Sequence, residues 1–533
     1  DPRTGLPADS QRYFRANYYA GFVQDDWKAR PNLTLNLGLR YEYYAPISEK
    51  QGRLSNLFFG SQGLLNSQVR PVDQLFEPDR NNFAPRLGFA YSPAFGGFAG
   101  LLEENRAVIR GGFGIAYNRI PVAPLNNVRG NTPFFARYGL CCGFPSSPFA
   151  NGQILYAVGA DNSVTSFPRN PALGLGINPT TGAPNSGSVE IYGAPQELPN
   201  PYVYTYSLEL QQELPAKLTA TIGYQGSAGH KLIRLVNQNF IYPNNPSFFQ
   251  VFFTTPDVNS NYNALNANLV RRFSEGLQLQ ANYRWSKSID QLSYEGPGFV
   301  TNQTFPQDNR TERGPSDFDV RHYFNFSGAY ELPFFRQRRD AVGALLGGFE
   351  ISSIVTYRTG FPFTPVVGGC TSTPGGPALC PVRPQGYRGP TDIDTSNEAF
   401  ITGSNFPGGG APFFTVFEQA GPNGPFQTIA PPGIGRNSFR GPGYFNVDMS
   451  LVKHTRLGFI SELADLELRA NFFNVFNKLN LAPFAFGSRA VTVGDFDTRG
   501  DALPGVLNNN ADFGKATGGL AGRVVELQAR FRF

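Results

Sequence analysis

Few side chains in this 533-residue chain are spaced to do chemistry, and each such cluster has a plainer reading. Asp317, Asp319, Arg321 and His322 bring two carboxylates, a cation and an imidazole together, which are the ingredients of acid–base catalysis. The same residues suit a polar loop running into a strand, and that is the expectation here. Gly111-Gly112-Phe113-Gly114 is glycine-rich, yet it lies inside an alternating segment and lacks the third glycine and following helix of a dinucleotide site. A bulge or close packing is expected there instead. Gly514-Lys515 has no glycine five positions upstream and so makes no phosphate loop. His230 and His454 have no partner at metal spacing, and the chain holds only 3 histidines. These residues predict no catalytic residue, no metal site and no cofactor: the protein is not expected to be an enzyme.

The 4 cysteines divide into two pairs. Cys370 and Cys380 bracket a short Ser/Thr/Pro/Gly segment and are read as a structural disulfide closing a small loop in an oxidising compartment. Cys141 and Cys142 are adjacent, without the spacing of a redox or zinc motif, and no function is assigned to them.

The elements that must position any site are strands. Leu33, Leu35, Leu37, Leu39, Tyr41 and Tyr43 alternate with Thr34, Asn36, Gly38, Arg40 and Glu42. Leu277 to Ser286 and Val525 to Phe533 show the same period of two, so each segment has one apolar and one polar face. Strands of this kind are expected near 17–29, 33–44, 82–92, 106–118, 202–213, 217–226, 262–273, 276–288, 320–332, 347–360, 444–456, 463–476 and 522–533. Most are longer than the five or six residues usual in soluble proteins, and a tilted strand needs roughly nine to eleven to cross a bilayer. Short turns, such as Arg30-Pro31-Asn32 and Leu214-Pro215-Ala216, alternate with long segments rich in Gly, Pro, Asn and Ser: 45–81, 119–201, 227–261, 289–319, 361–443 and 477–521. That asymmetry is the mark of a transmembrane antiparallel β-barrel, with short periplasmic turns and long extracellular loops. Polar residues such as Arg469, Asn471, Glu526 and Arg530 would then line the lumen, and Tyr18, Tyr19, Tyr43, Tyr44, Tyr323, Tyr330, Phe472, Phe473 and Phe476 would supply interfacial girdles.

Composition agrees. Charged residues are 16% of the chain and the net charge is only +5, with no run of like charges, so a nucleic-acid partner is not expected. No apolar run approaches the 18 residues of a membrane helix. The opening Asp1-Pro2-Arg3-Thr4-Gly5 has no basic or apolar leader character, which predicts a mature chain or an internal fragment.

Several of these segments resemble a known family. Phe22-Val23-Gln24-Asp25-Asp26-Trp27-Lys28 with Leu33 to Glu42, then Asn82 to Phe89, then Leu468-Arg469-Ala470-Asn471-Phe472-Phe473-Asn474 are similar to the barrel of TonB-dependent outer-membrane receptors, and nearest to the Oar-like branch. The resemblance covers nearly all strand regions and few of the loops. It implies a receptor in the outer membrane of a Gram-negative bacterium that takes up a large or scarce solute. Its partners would be outer-membrane lipid, that solute, the TonB complex acting through an N-terminal plug, and the barrel-assembly machinery. It also implies that Phe531 and Phe533, in the closing Arg530-Phe531-Arg532-Phe533, form the barrel-assembly signal. In the family about 22 strands surround the plug, and nothing in residues 1–533 resembles a plug or a TonB box. An odd strand count ending in the periplasm therefore predicts the C-terminal portion of a larger barrel, with the first strands, roughly nine of 22, and the plug outside this chain. A passive diffusion barrel and a barrel-anchored adhesin are the alternatives. No residue singles out the ligand: Phe413-Phe414 in the longest loop are read as loop packing.

Overall fold

A computed structural model describes residues 11–93, 106–135, 189–241, 245–293, 303–335, 340–368, 433–457, 464–484, 488–495 and 508–532, with shorter stretches within 178–183, at 338, within 371–389 and within 413–427. One antiparallel sheet dominates. Its thirteen-strand path follows chain order: β1 (Tyr18–Arg30), β2 (Leu33–Tyr44), β3 (Phe83–Tyr91), β4 (Ala107–Tyr117), β5 (Tyr202–Leu214), β6 (Leu218–Asn237), β7 (Phe248–Ser274), β8 (Leu277–Asp290), β9 (His322–Glu331), β10 (Phe349–Arg358), β11 (Tyr444–Arg456), β12 (Asp465–Phe473) and β13 (Val524–Arg532). Each expected strand is present. The order is a meander because short turns can join only adjacent antiparallel strands. Glu275 (φ 55°) and Gly276 (φ 79°) make the tight β7–β8 turn, where left-handed backbone matches the twist of the hairpin.

Register sorts the side chains onto two faces. Leu37 pairs with Leu87, Leu87 with Phe113 and Phe113 with Tyr206. On the next strands Leu208 pairs with Tyr224, Tyr224 with Leu265 and Leu265 with Trp285. Paired residues share a face, so this face is apolar across the sheet. It is also exposed: Leu208 is 54% and Ile222 50% accessible. A continuous apolar face of this extent needs an apolar solvent. The opposite face carries Asn36, Arg86, Ser207, Gln225, Asn266, Arg284, Asn325, Thr356, Asn446, Asn471 and Glu526. The sheet is thus apolar outside and polar inside.

The aromatic pairs divide between these faces. Tyr19 and Tyr43 stack outside, whereas Tyr18 and Tyr44 stack inside, with Tyr18 Oη donating to Glu42 at 2.9 Å. Tyr323, across from Arg284, and Phe473, across from Val524, also face inward. Of the strand aromatics named from the sequence, Tyr19, Tyr43, Tyr330 and Phe472 therefore suit a girdle, because neighbouring residues on a strand cannot share a face. Asp25 and Asp26 part in the same way: Asp26 accepts from Asn36 Nδ2 at 2.6 Å inside, while Asp25 lies on the outer row across from Leu37.

The described parts of the long connections are folded. Segment 227–261, expected as a loop, is instead mostly the outward continuation of β6 and β7, paired as far as Asn237 and Phe252. Hairpin Ser55–Gly60 with Gly63–Pro71 and the strand Val189–Gly193 join it. Their apolar residues close one core around Leu54, Leu75, Leu125, Ile233 and Phe252, and a second around Leu64, Ile191, Phe248 and Val251. A further core, with Phe363, Val367, Phe439, Val493 and Phe513, is drawn from the β10–β11 and β12–β13 connections.

Glu49 ties the first of these segments down. Burial opposes its charge, but the backbone N–H groups of Tyr13, Gln51 and Arg53, donating at 2.8–2.9 Å, outweigh that and hold its carboxyl below the ordinary 4.5. A depressed carboxyl stabilises fully above its unfolded pKa and loses that contribution as pH falls through the folded value. Amide exchange at Tyr13, Gln51 and Arg53, corrected for intrinsic rate, should therefore quicken below pH 4.5. Glu49→Gln should show the same loosening at neutral pH, about fivefold for a loss of roughly 1 kcal/mol.

Candidate functional site

The inner face of the sheet is a ladder of polar side chains held in place by one another. Arg40 Nε donates to Glu42 at 2.8 Å, and Arg110 Nη1 donates to Gln211 at 2.8 Å. Arg284 Nε donates to Asn266 at 2.9 Å, and Arg469 Nη2 donates to Glu467 at 3.0 Å. Arg469, Asn471, Glu526 and Arg530 all fall on this face, as expected for lumen-lining residues. Such a wall offers hydrogen-bond donors and acceptors of both signs along its length, which suits passage of a hydrated polar solute.

At the extracellular end, arginines from the β10–β11 connection reach carboxylates of the β8–β9 connection. Arg383 Nη2 contacts Glu312 Oε1 at 2.9 Å, with the two side chains 3% and 0% exposed. Burial pulls the Arg383 guanidinium below its ordinary value, and the Glu312 carboxylate only partly restores it. Arg436 holds the Asp290 carboxylate at the end of β8, Asp317 Oδ1 at 3.2 Å, Ser293 Oγ at 3.1 Å and the Glu312 carbonyl at 2.9 Å. Arg440 Nη2 donates to Asp319 Oδ2 at 2.5 Å. Arg234, in the extended part of β6, grips Asp257 with two bonds of 2.6 Å and reaches the Pro306 carbonyl at 3.3 Å. Buried pairs such as these hold only where further hydrogen bonds complete each ion, as they do for Arg436.

Between these connections lies a cavity of about 330 Å³. Phe361, Phe363 and Phe484 form an aromatic wall, and Gln303, Asp317 and Arg436 a polar one. The arrangement can bind: a concave apolar surface with a few fixed polar groups is what small organic ligands require. Among its described lining residues no group is set up as a nucleophile or a proton shuttle. Asp317 and Asp319 are each occupied by arginine, and Arg321 Nε donates to Asp319 at 3.1 Å. His322 instead pairs through Nδ1 with Tyr283 Oη at 2.8 Å on the outer face. These four residues thus form a loop-to-strand junction, as read from the sequence. His230 packs at a tilt against Tyr202 and edge-on against Tyr204, and His454 lies 3.4 Å from Asp465. Gly111 serves close packing: a Cβ there would meet the Phe89 ring at 2.4 Å. Among the described residues no group of three or more His, Cys, Asp or Glu could hold a metal ion.

Cys370, Cys380, Cys141, Cys142 and Phe533 lie outside the described residues, whereas Phe531 faces outward on β13 across from Leu466. The ribbon Thr371–Ser372 with Ala378–Leu379 has Thr371 paired with Leu379. We expect peptide mapping of non-reduced protein to recover Cys370 linked to Cys380, and the linked fragment to disappear on reduction. Recovery of Cys370 and Cys380 as free, alkylated thiols would refute the bridge. The arginine staples and the cavity were missed from sequence. Arg383, Arg436 and Arg440 stand singly in a Gly/Pro-rich stretch, and their carboxylate partners lie 71 to 146 residues away.

Comparison with known proteins completes the description. The family model of the outer membrane beta barrel domain matches residues 3–526. Among curated proteins nothing matches. The ferripyoverdine receptor FpvA of P. aeruginosa, bound to an iron–pyoverdine complex, is similar at 10% identity and a TM-score of 0.40, over 98% of this chain and 39% of that one. The siderophore receptor PiuA of Acinetobacter baumannii gives 8% and 0.39, over 97% and 43%. The outer membrane transporter YddB of Escherichia coli gives 10% and 0.38, over 97% and 54%. The chain therefore spans between 39% and 54% of the length of these structures. With a match along nearly its whole length and a sheet that is apolar outside and polar inside, the chain belongs to the outer membrane beta barrel domain family and resides in the outer membrane of a Gram-negative bacterium.

Proposed function

We propose that the chain is barrel wall and extracellular vestibule of a TonB-dependent receptor of the Oar-like kind, taking up a large or scarce polar solute without covalent chemistry. The observation that carries this reading is the sheet itself: thirteen strands present a polar inner face, and among the described residues neither β1 nor β13 pairs along its outer edge. An odd antiparallel path leaves those two edge strands running the same way, so antiparallel closure takes an odd number of further strands. Nine would complete the roughly 22-stranded ring that holds a plug in transporters of this size. An open edge in lipid would cost several kcal/mol per unpaired group. The folded vestibule above the lumen supports capture before passage, and its size also suits a barrel-anchored adhesin.

The test uses the native protein extracted from outer membrane. Its mass should be near or above twice that of this chain, with an N-terminal plug that crosslinks to TonB. In planar bilayers it should be closed, and should conduct once urea unfolds the plug. A native protein that conducts from the outset, with no plug, would overturn the reading in favour of a passive barrel. Unimpaired uptake without TonB would do the same, and loss of cell contact alone on loop deletion would favour the adhesin.

A further inference from the structure

We propose that the cavity between the β8–β9 and β10–β11 connections binds a primary alkylammonium group of the solute, held by Glu312, Asp317 and the phenylalanine wall. The proposal rests on the receptor reading only in making this group part of an imported solute. Glu312 lines the cavity and is 0% exposed. Its Oε1 accepts from the backbone N–H groups of Thr304 at 3.0 Å and Phe305 at 3.2 Å, and from Arg383 at 2.9 Å. Its Oε2 is buried with no hydrogen-bond partner among the described residues. A buried carboxylate oxygen left unpaired is destabilising, and a donor brought by a ligand relieves it.

The donors around the cavity are already engaged. Arg436 directs its guanidinium to Asp290, Asp317, Ser293 and the carbonyls of Glu312 and Gly314. Asn437 Nδ2 donates to Asp317 at 2.6 Å and to the Pro315 carbonyl at 2.8 Å. Arg383 turns to Thr304 Oγ1 and to the carbonyls of Ile434 and Thr311. Acceptors are what remain: Glu312 Oε2, and the Asp317 carboxylate, whose side chain is 60% exposed on the same wall. A matching ligand must donate without needing to accept. An ammonium has three donors and no acceptor, whereas a sugar hydroxyl or an amide would bring acceptors up against carboxylates. Charge agrees, because the ion-pair cluster sets the carboxylates of Asp290, Glu312 and Asp317 against only the guanidiniums of Arg383 and Arg436. Phe363 and Phe484, edge to face at 5.3 Å, supply aromatic surface for the cation and its methylene stem.

Calorimetric titration of the full native protein in detergent with n-pentylammonium, near pH 7 where the amine is protonated, tests this. Saturable binding is expected, about tenfold tighter than for 1-pentanol, which has the stem without the charge. Tetramethylammonium, a cation without N–H donors, should also bind about tenfold more weakly. Glu312→Gln should weaken pentylammonium about tenfold, and so should Leu292→Trp, which fills the cavity from its wall and leaves the ion pairs in place. Wild-type amide exchange in 311–319 would show that a variant keeps the vestibule folded. If Glu312→Gln loosens that segment, Leu292→Trp decides. Equal affinity for pentylammonium and 1-pentanol would overturn the proposal, as would equal affinity for tetramethylammonium or undiminished binding by folded Leu292→Trp. Nα-acetyl-lysine amide binding more tightly than pentylammonium would assign the group to a peptide side chain, and weaker binding to a free amine; both outcomes support the site. The titration needs neither plug nor TonB, so its failure leaves the receptor reading to the uptake test, and loss of TonB dependence leaves this site standing.

Discussion

Arg436→Ala should unfasten the extracellular vestibule while leaving the barrel strands paired. The side chain is 10% exposed and holds the Asp290 carboxylate, itself 4% exposed, together with Asp317, Ser293 and the Glu312 carbonyl. Removing one partner of a buried ion pair costs about 3–5 kcal/mol, because the remaining charge stays buried without compensation. That local loss should raise amide exchange in 289–293 and 311–319 by two orders of magnitude or more. It should also expose 433–440 to protease. Strands β8, β10 and β11 should keep their protection, since their ladders do not involve Arg436. Arg436→Lys keeps the charge but cannot span all four acceptors, so it should recover only part of the loss. Wild-type exchange in Arg436→Ala would show that the connections are held by their apolar core alone.

The second large effect distinguishes the two faces of the sheet. Leu208 stands at mid-strand on the apolar face between Gly111 and Tyr224, and Ser207 on the polar face between Gly112 and Gln225. Leu208→Arg places a charge in hydrocarbon and should cost about 2–4 kcal/mol near the bilayer midplane. Ser207→Arg adds the same charge to a wall that already holds Arg110, Glu209 and Gln211 in mutual contact, and should be nearly neutral. Denaturant titration of protein refolded into vesicles measures both. Equal costs, or a larger one for Ser207→Arg, would mean that the lipid meets the other face.

Much of the fold was legible because its determinants are local. Alternation at Leu33–Tyr43 or Val525–Phe531 is a property of neighbouring residues, and so is the turn at Glu275-Gly276. Each of the thirteen strands was placed within a few residues over its membrane-crossing part. The outward continuation of β6 and β7 was not, because 227–261 mixes Gly, Pro and Asn into a poor strand pattern. It is ordered only by the pairing of Val236 with Phe253 and by the cores packed against it. Tyr18 and Tyr44 turn inward while Tyr19 and Tyr43 face outward for a related reason: composition locates aromatics near strand ends, but register alone assigns each to a face.

By itself, then, the sequence determined that this is a long-stranded antiparallel meander with alternating short and long connections. The period of two and the turn chemistry need no distant partner to be read. Only the tertiary structure decided which strand residues share one continuous apolar face, since that depends on the register between strands, and it leaves that face exposed at Leu208 and Ile222. Only it decided that the long connections form a vestibule. The charges that fasten it, Arg436 on Asp290 and Arg383 on Glu312, pair across great chain separation, where no local pattern can join them.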